Sequence, residues 1–236
     1  FGALGLDTGL FDVLYTYENG AGLTVSSVSG GQPQYGGTLS SSTTFWSKPG
    51  SGFFSGTTLA VNNASGANSE AWTKVFVYEQ TQTGKITLFD SLGGGSGCRI
   101  GITDSNRLYF ESFNQEPIVA ASFNNLSSKN AVAVSYLTNY VALSYLNVNA
   151  QTMETEAYSY PFEVTRSDRW TLGGGAPYYA DYHIHLTEFQ SPQVIGQLLS
   201  GLYARPTGYG YPVETTCTTG ITGYQTIFVG ETGVTG

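Results

Sequence analysis

His183 and His185 are the only histidines in the chain. Two residues apart on an extended strand, they point to one face, close enough to share a metal ion or a ligand carboxylate. Asp181 falls at the same period, so Asp181, His183 and His185 together could ligate a divalent ion; the plainer reading is the ordinary polar outer face of a strand. Glu154 and Glu156 repeat that spacing, and glycoside hydrolysis needs two carboxylates about 5 to 10 Å apart across the cleaved bond. An exposed strand edge explains them more simply. Nucleophilic catalysis finds no support, because no G-x-S-x-G elbow presents a serine and neither Cys98 nor Cys217 has a local base. The runs Gly93-Gly94-Gly95 and Gly173-Gly174-Gly175 precede neither Lys-Ser/Thr nor a helix, so they read as turns and not as phosphate loops.

The elements that must position these groups are mostly short strands. From about residue 71 onward, β-type runs recur every 8 to 12 residues between Gly, Asn, Asp and Pro punctuation, the rhythm of a sandwich or barrel. They are Trp72 to Tyr78, Lys85 to Asp90, Cys98 to Thr103, Arg107 to Glu111, Pro117 to Phe123, Ala131 to Leu137, Tyr140 to Asn147, Thr155 to Tyr160, Arg169 to Gly173 and Asp181 to Phe189. Asp104-Ser105-Asn106 is the best local hairpin turn, and Leu137-Thr138-Asn139-Tyr140 makes a second. Ala131 to Tyr136 is apolar on both faces, as a strand buried between layers must be. Ser191 as cap, Pro192 at the first helical position and Val194, Ile195, Leu198 and Leu199 at helical spacing predict one short helix over 192–199. In residues 1–69, apolar segments at Leu10 to Tyr17 and Phe53 to Val61 stand among Gly/Ser/Thr/Gln stretches, which predicts long loops with two or three strands.

Composition agrees with that layout. The chain has 236 residues, 11% charged and 40% hydrophobic, which argues against coiled coils and helical bundles and for one large all-β domain. With a net charge of -8 it has no electrostatic footprint for nucleic acid or anionic lipid. No apolar run reaches the ~18 residues of a membrane span, so membrane insertion is not expected. The chain begins at Phe1 without Met, which suggests a removed leader, a fragment or a processed form. Cys98 and Cys217 are the only cysteines; they could form one bridge, and they lack the spacing of a zinc site. The sequons at Asn63 and Asn125 arise readily by chance in a chain rich in Asn and Ser.

Taken in order, several segments resemble the laminin-G-like, concanavalin-A-like jelly-roll family. They are Ala71 to Val77, Ile86 to Gly94, Arg99 to Thr103, Arg107 to Phe110, the central pair Asn130 to Tyr136 and Tyr140 to Asn147, Trp170 to Gly174, Tyr182 to Phe189, and the closing helix from Ser191. The resemblance covers about 70–203 and implies a two-sheet antiparallel β-sandwich with one short helix near the end of the domain. It also implies calcium held by loop oxygens, for which Asp90, Asp104 and Asn106 are candidates, although Asp and Asn dominate ordinary turns as well. The Glu-x-Asp-x-Glu cluster of the family's glucanases and the Gln-Ile-His motif of its alginate lyases are absent, so no catalytic residue is carried over and polysaccharide degradation is the remote alternative.

Trp46, Tyr178 and Tyr179 lie beside Gly or Pro, where a sugar ring could stack on them, a protein could dock, or they could simply pack beneath a loop. Residues 207–236 hold nine Thr and seven Gly and no basic residue, a tail after a domain spanning 1–206. Within it, Tyr224 to Val229, and Tyr224, Ile227, Phe228 and Val229 in particular, has strong β propensity and no Pro, so it is expected to add a strand to its own domain or to a neighbouring subunit, or to lead into a further domain. The expectation is a non-enzymatic binding and assembly module of an extracellular, cell or virion surface, with a glycan or protein partner and self-association. The alternative is a purely structural fibre, decoration or filament subunit.

Overall fold

The computed structural model describes residues 11–17, 21–25, 36–48, 50–62, 71–92, 97–124, 129–147, 150, 152–164, 169–204 and 224–228. Short strands come first: β1 (Phe11–Tyr15), β2 (Thr24–Val25), β3 (Gly37–Leu39), β4 (Gly52–Phe54) and β5 (Leu59–Asn62). Then follow β6 (Ala71–Gln80), β7 (Ile86–Asp90), β8 (Cys98–Ile102), β9 (Leu108–Ser112), β10 (Ile118–Val119), β11 (Lys129–Leu137), β12 (Asn139–Asn147), β13 (Thr152–Tyr160), β14 (Arg169–Leu172) and β15 (Tyr178–Leu186). Helix α1 (Pro192–Tyr203) and strand β16 (Tyr224–Phe228) close the order.

The strands form two sheets. One runs β1-β15-β6-β11-β12-β13-β16, with β4 also paired to β15; the other runs β10-β9-β8-β7-β14-β5-β3-β2. All pairings are antiparallel except β16 on β13. The architecture is therefore the all-β sandwich that the strand rhythm predicts, with one helix.

Alternation in β6 shows how the layers are built. Trp72, Phe76 and Tyr78 enter the core between the sheets, while Val75 and Val77 point the other way, into a second core under α1. β11 does the same with Val132, Val134 and Tyr136 inward and Ala131 and Ala133 outward. Small alanines let the helix approach the sheet closely, and this accounts for the doubly apolar run in the sequence. The helix holds Ile195, Leu198, Leu199 and Leu202 against that face. Ser191 accepts the Val194 N–H, and Pro192 opens the first turn. The helix runs to Tyr203 and not to residue 199, because Leu202 extends the apolar stripe by one more turn.

Both predicted turns are present. Asn106 takes φ 60° where β8 turns into β9, and Asn139 takes φ 68° between β11 and β12, a left-handed conformation that Asn tolerates better than most residues. The run Gly173-Gly174-Gly175 has φ of 91°, 142° and 78°. A Cβ at Gly175 would lie 2.0 Å from the Lys85 carbonyl oxygen, so these glycines serve a tight turn as expected. The N-terminal expectation of two or three strands is corrected to five among the described residues, each of two to five residues, too short to print a period on the sequence.

Candidate functional site

β15 carries the residues on which the site turns. Between Ala180 and Tyr182 its register against β6 slips by one, a bulge with Asp181 as the extra residue. A bulge places two consecutive side chains on the same side and reverses the alternation beyond it. Tyr178 and Ala180 therefore face the inter-sheet core before the bulge, while Tyr182, Ile184 and Leu186 face the helix after it. Tyr179 and Asp181 are left on the outer, helix side of the sheet, Tyr179 half-buried and Asp181 only 2% exposed.

That outer face gathers an aromatic pair and four charges. The Phe53 and Tyr179 rings stack with centroids 4.4 Å apart and planes 22° from parallel. β4 puts them side by side, since Phe53 is the register partner of Tyr179. The Lys48 ammonium stands 5.1 Å from the centre of the Tyr179 ring and pairs with Glu79 at 2.8 Å. Ser47 Oγ lies 3.4 Å from the Tyr179 hydroxyl. Farther in, Ser51 donates a 2.6 Å hydrogen bond to Asp181 Oδ1, and Lys129 approaches Oδ2 at 3.9 Å while lying over the Tyr203 ring of α1. Burial first, and the nearby Lys48 charge, push the Lys129 amine below its usual value, against the opposing pull of Asp181 and Glu79. The two ammonium and two carboxylate groups balance, so the patch is polar with no net charge.

The expectation that Asp181, His183 and His185 share an outer, polar face does not hold. His183 and His185 are 1% and 0% exposed and point into the inter-sheet core, because the bulge that keeps Asp181 outside turns them in. Their β6 partners are Phe76 and Lys74. The His183 ring lies among those of Tyr15, Phe76, Phe89 and Trp170 at 4.8 to 6.4 Å. Lys74, itself buried, sets its ammonium 4.1 Å from the Phe89 ring centre and 5.0 Å from that of Trp72. Burial, with Lys74 beside them, holds both imidazoles well below their usual pKa. No group of three or more His, Cys, Asp or Glu among the described residues is arranged to hold a metal ion.

The other candidates separate. Tyr178 is a core residue stacked on Phe54 at 5.1 Å with its hydroxyl on the Thr87 carbonyl. Trp46 packs edge-on against Phe45 at 4.8 Å and donates its indole N–H to the Gly22 carbonyl at 2.8 Å. Asp90 is clamped by Arg99 at 2.9 Å and accepts the Leu92 N–H. Asp104 accepts the Lys85 N–H, at the opposite end of β7, a separation of roughly 13 Å at strand rise. Asn106 shares its turn with Asp104, so Asp90 and the other two do not fit one calcium coordination sphere.

Glu154 and Glu156 are not on an exposed edge, since β16 lies beyond β13 and both are buried, at 6% and 0% exposure. The Glu156 carboxylate accepts the N–H groups of Ala121 and Ser122 and the hydroxyls of Tyr145 and Tyr158, all at 2.7 to 2.8 Å. Burial alone would raise its pKa, but the Ser122 and Ala121 N–H groups and the two tyrosines hold it below the usual value. Glu154 accepts from Asn147. At Glu156 such an arrangement fixes a loop to a sheet. Cys98 has a buried free thiol, which burial pushes up to about 11; Cys217, Asn63, Asn125, Val229 and the run Gly93 to Gly95 lie outside the described residues. Of the tail segment, the backbone of Tyr224 to Phe228, with Ile227 in it, pairs within the same chain as β16.

Phe53, Lys48, Ser51, Glu79 and Lys129 were not legible as site residues. They come from three separated segments, 48–53, β6 and β11, and only strand pairing around β15 and β6 brings them to Tyr179 and Asp181.

No protein-family model matches this chain, and no curated protein sequence does. Its fold is similar to solved structures of botulinum neurotoxin binding domains. The serotype D binding domain superposes with a TM-score of 0.63 at 12% identity, over 84% of this chain and 52% of that one. The binding domain of botulinum neurotoxin DC in complex with SialylT gives 0.60 at 12% identity, over 84% and 52%. A type C neurotoxin structure concerned with interaction with two ganglioside molecules gives 0.58 at 13%, over 83% and 52%. The chain thus spans about half the length of the chains it matches. At this identity the likeness is one of fold, a β-sandwich, and the narrower laminin-G-like resemblance stays an expectation.

Proposed function

We propose that the chain is a non-enzymatic binding module acting outside the cell, and that it holds a carbohydrate on the outer-face patch centred on Tyr179. The observation that carries this reading is the stacked Phe53–Tyr179 pair beside the half-exposed Lys48–Glu79 ion pair. The C–H face of a pyranose ring packs against the electron-rich face of an aromatic ring, and its hydroxyls both donate to carboxylates and accept from ammonium groups. Because Lys48 and Glu79 balance, an uncharged sugar suits the patch without stranding either of them.

Two further observations support binding over the alternatives. The carboxylates with hydrolase-like spacing, Glu154 and Glu156, are engaged in structural hydrogen bonds. Strand β16 pairs with β13 of its own chain, which favours a self-contained module over a subunit that donates its tail to a neighbour. Similar folds solved in complex with SialylT and with rat synaptotagmin II make glycan and protein ligands the natural first screens.

The test is a screen of the whole chain against neutral and sialylated oligosaccharides, with Tyr179→Ala as the paired variant. Expected is affinity for at least one oligosaccharide that falls tenfold or more in Tyr179→Ala while the melting temperature moves little. Binding that Tyr179→Ala leaves intact would relocate the site, and no binding to any oligosaccharide would overturn the reading.

A further inference from the structure

Behind the outer patch, on the core side of β15, lies a feature that sugar binding does not use. The last paired residues of β1 and β15 at this end are Tyr15 and His183, and Tyr17 follows two positions on, opposite the Asp181 bulge. Tyr17 takes φ 54°, the left-handed region that a large side chain seldom adopts. Its ring packs into the core on Phe45 and Phe54, at 5.9 and 6.1 Å. The His183 imidazole, 1% exposed, lies among the rings of Tyr15, Phe76, Phe89 and Trp170.

The Tyr17 hydroxyl and both nitrogens of His183 are buried with no hydrogen-bond partner among the described residues. Buried polar groups are nearly always satisfied, and each one left over calls for an explanation. These two residues line one and the same cavity of about 10 Å³, whose other walls include Tyr178, Leu88 and Leu172.

We propose that this cavity is the seat of a single ordered water molecule that bridges the Tyr17 hydroxyl and the His183 imidazole. Its size admits one water and nothing larger. A water also matches the groups present, since it can donate to the unprotonated imidazole nitrogen and accept from the phenol. Burial raises the Tyr17 hydroxyl well above its ordinary pKa and lowers that of His183, so both groups are neutral and a cation would find no counter-charge in either. An apolar occupant would leave both unpaired. The bridge lies just past the last β1–β15 pair, Tyr15 and His183, where β4 takes over as the neighbour of β15, so the water ties the residue that follows β1 to β15.

Water–protein cross-relaxation NMR on the whole chain tests this. In the wild type a long-lived water should give a cross-peak to the Tyr17 ring and His183 ring protons, and nitrogen shifts of His183 should report a neutral, hydrogen-bonded imidazole. Tyr17→Phe should lose the cross-peak and shift the His183 nitrogens. Absence of the cross-peak in the wild type, which requires no variant to fold, overturns the proposal by showing a dry cavity. Its persistence unchanged in a folded Tyr17→Phe overturns it as well.

Discussion

His183 and His185 put two basic rings, with the Lys74 amine beside them, inside an aromatic core. Both folded-state pKa values lie well below 6.5, so below the unfolded value the unfolded chain binds protons that the folded chain refuses. Stability from these residues is therefore complete above about pH 6.5 and declines as pH falls below it, with a slope approaching about 1.4 kcal/mol per pH unit for each ring. Urea unfolding measured from pH 7.5 to 5 should show the midpoint falling with acid, and His183→Phe with His185→Leu should flatten that dependence. A wild-type midpoint constant over this range would refute it. The spacing that puts both imidazoles on one face was legible from the residues alone. Which face was not, because the bulge at Asp181, a register slip against β6, leaves no mark in the local sequence.

At the scale of elements, Glu156 shows how one side chain fixes a segment. It gathers two N–H groups from the stretch after β10 and two hydroxyls from β12 and β13, so it ties that connection to the sheet opposite the one β10 belongs to. Glu156→Gln keeps the shape but removes the charge and brings an NH₂ group to face donors; it should cost about 2 kcal/mol in equilibrium unfolding. Amide exchange at Ala121 and Ser122 should rise at the same time, and unchanged exchange there would contradict the tether. The central strands were legible because nine- and ten-residue runs such as β6 and β11 repeat their period several times. β2, β3 and β4 were not, since two or three residues hold no more than one alternation and owe their strand form to neighbours that arrive from elsewhere in the chain.

For the molecule as a whole, the tail decides how the sheet that holds β15 ends. β16 pairs in parallel with β13 from Met153 to Ala157, covering a run of backbone groups that would otherwise be open to another chain. Removing residues 207–236 should expose that edge, and light scattering should then show the shortened chain self-associating where the full chain does not. A full chain that assembles and a shortened one that stays single would restore the building-block reading. What the sequence determined by itself was whatever local periodicity and turn chemistry encode: a meander of strands, the left-handed turns at Asn106 and Asn139, a capped helix after Ser191, and the exclusion of familiar catalytic motifs. Only the tertiary structure decided that Tyr179 meets Phe53 and Lys48, that Tyr178 beside it is core, and that the histidines point inward. Those outcomes depend on which strands become neighbours and where the register slips, and both are set by packing two sheets and a helix together.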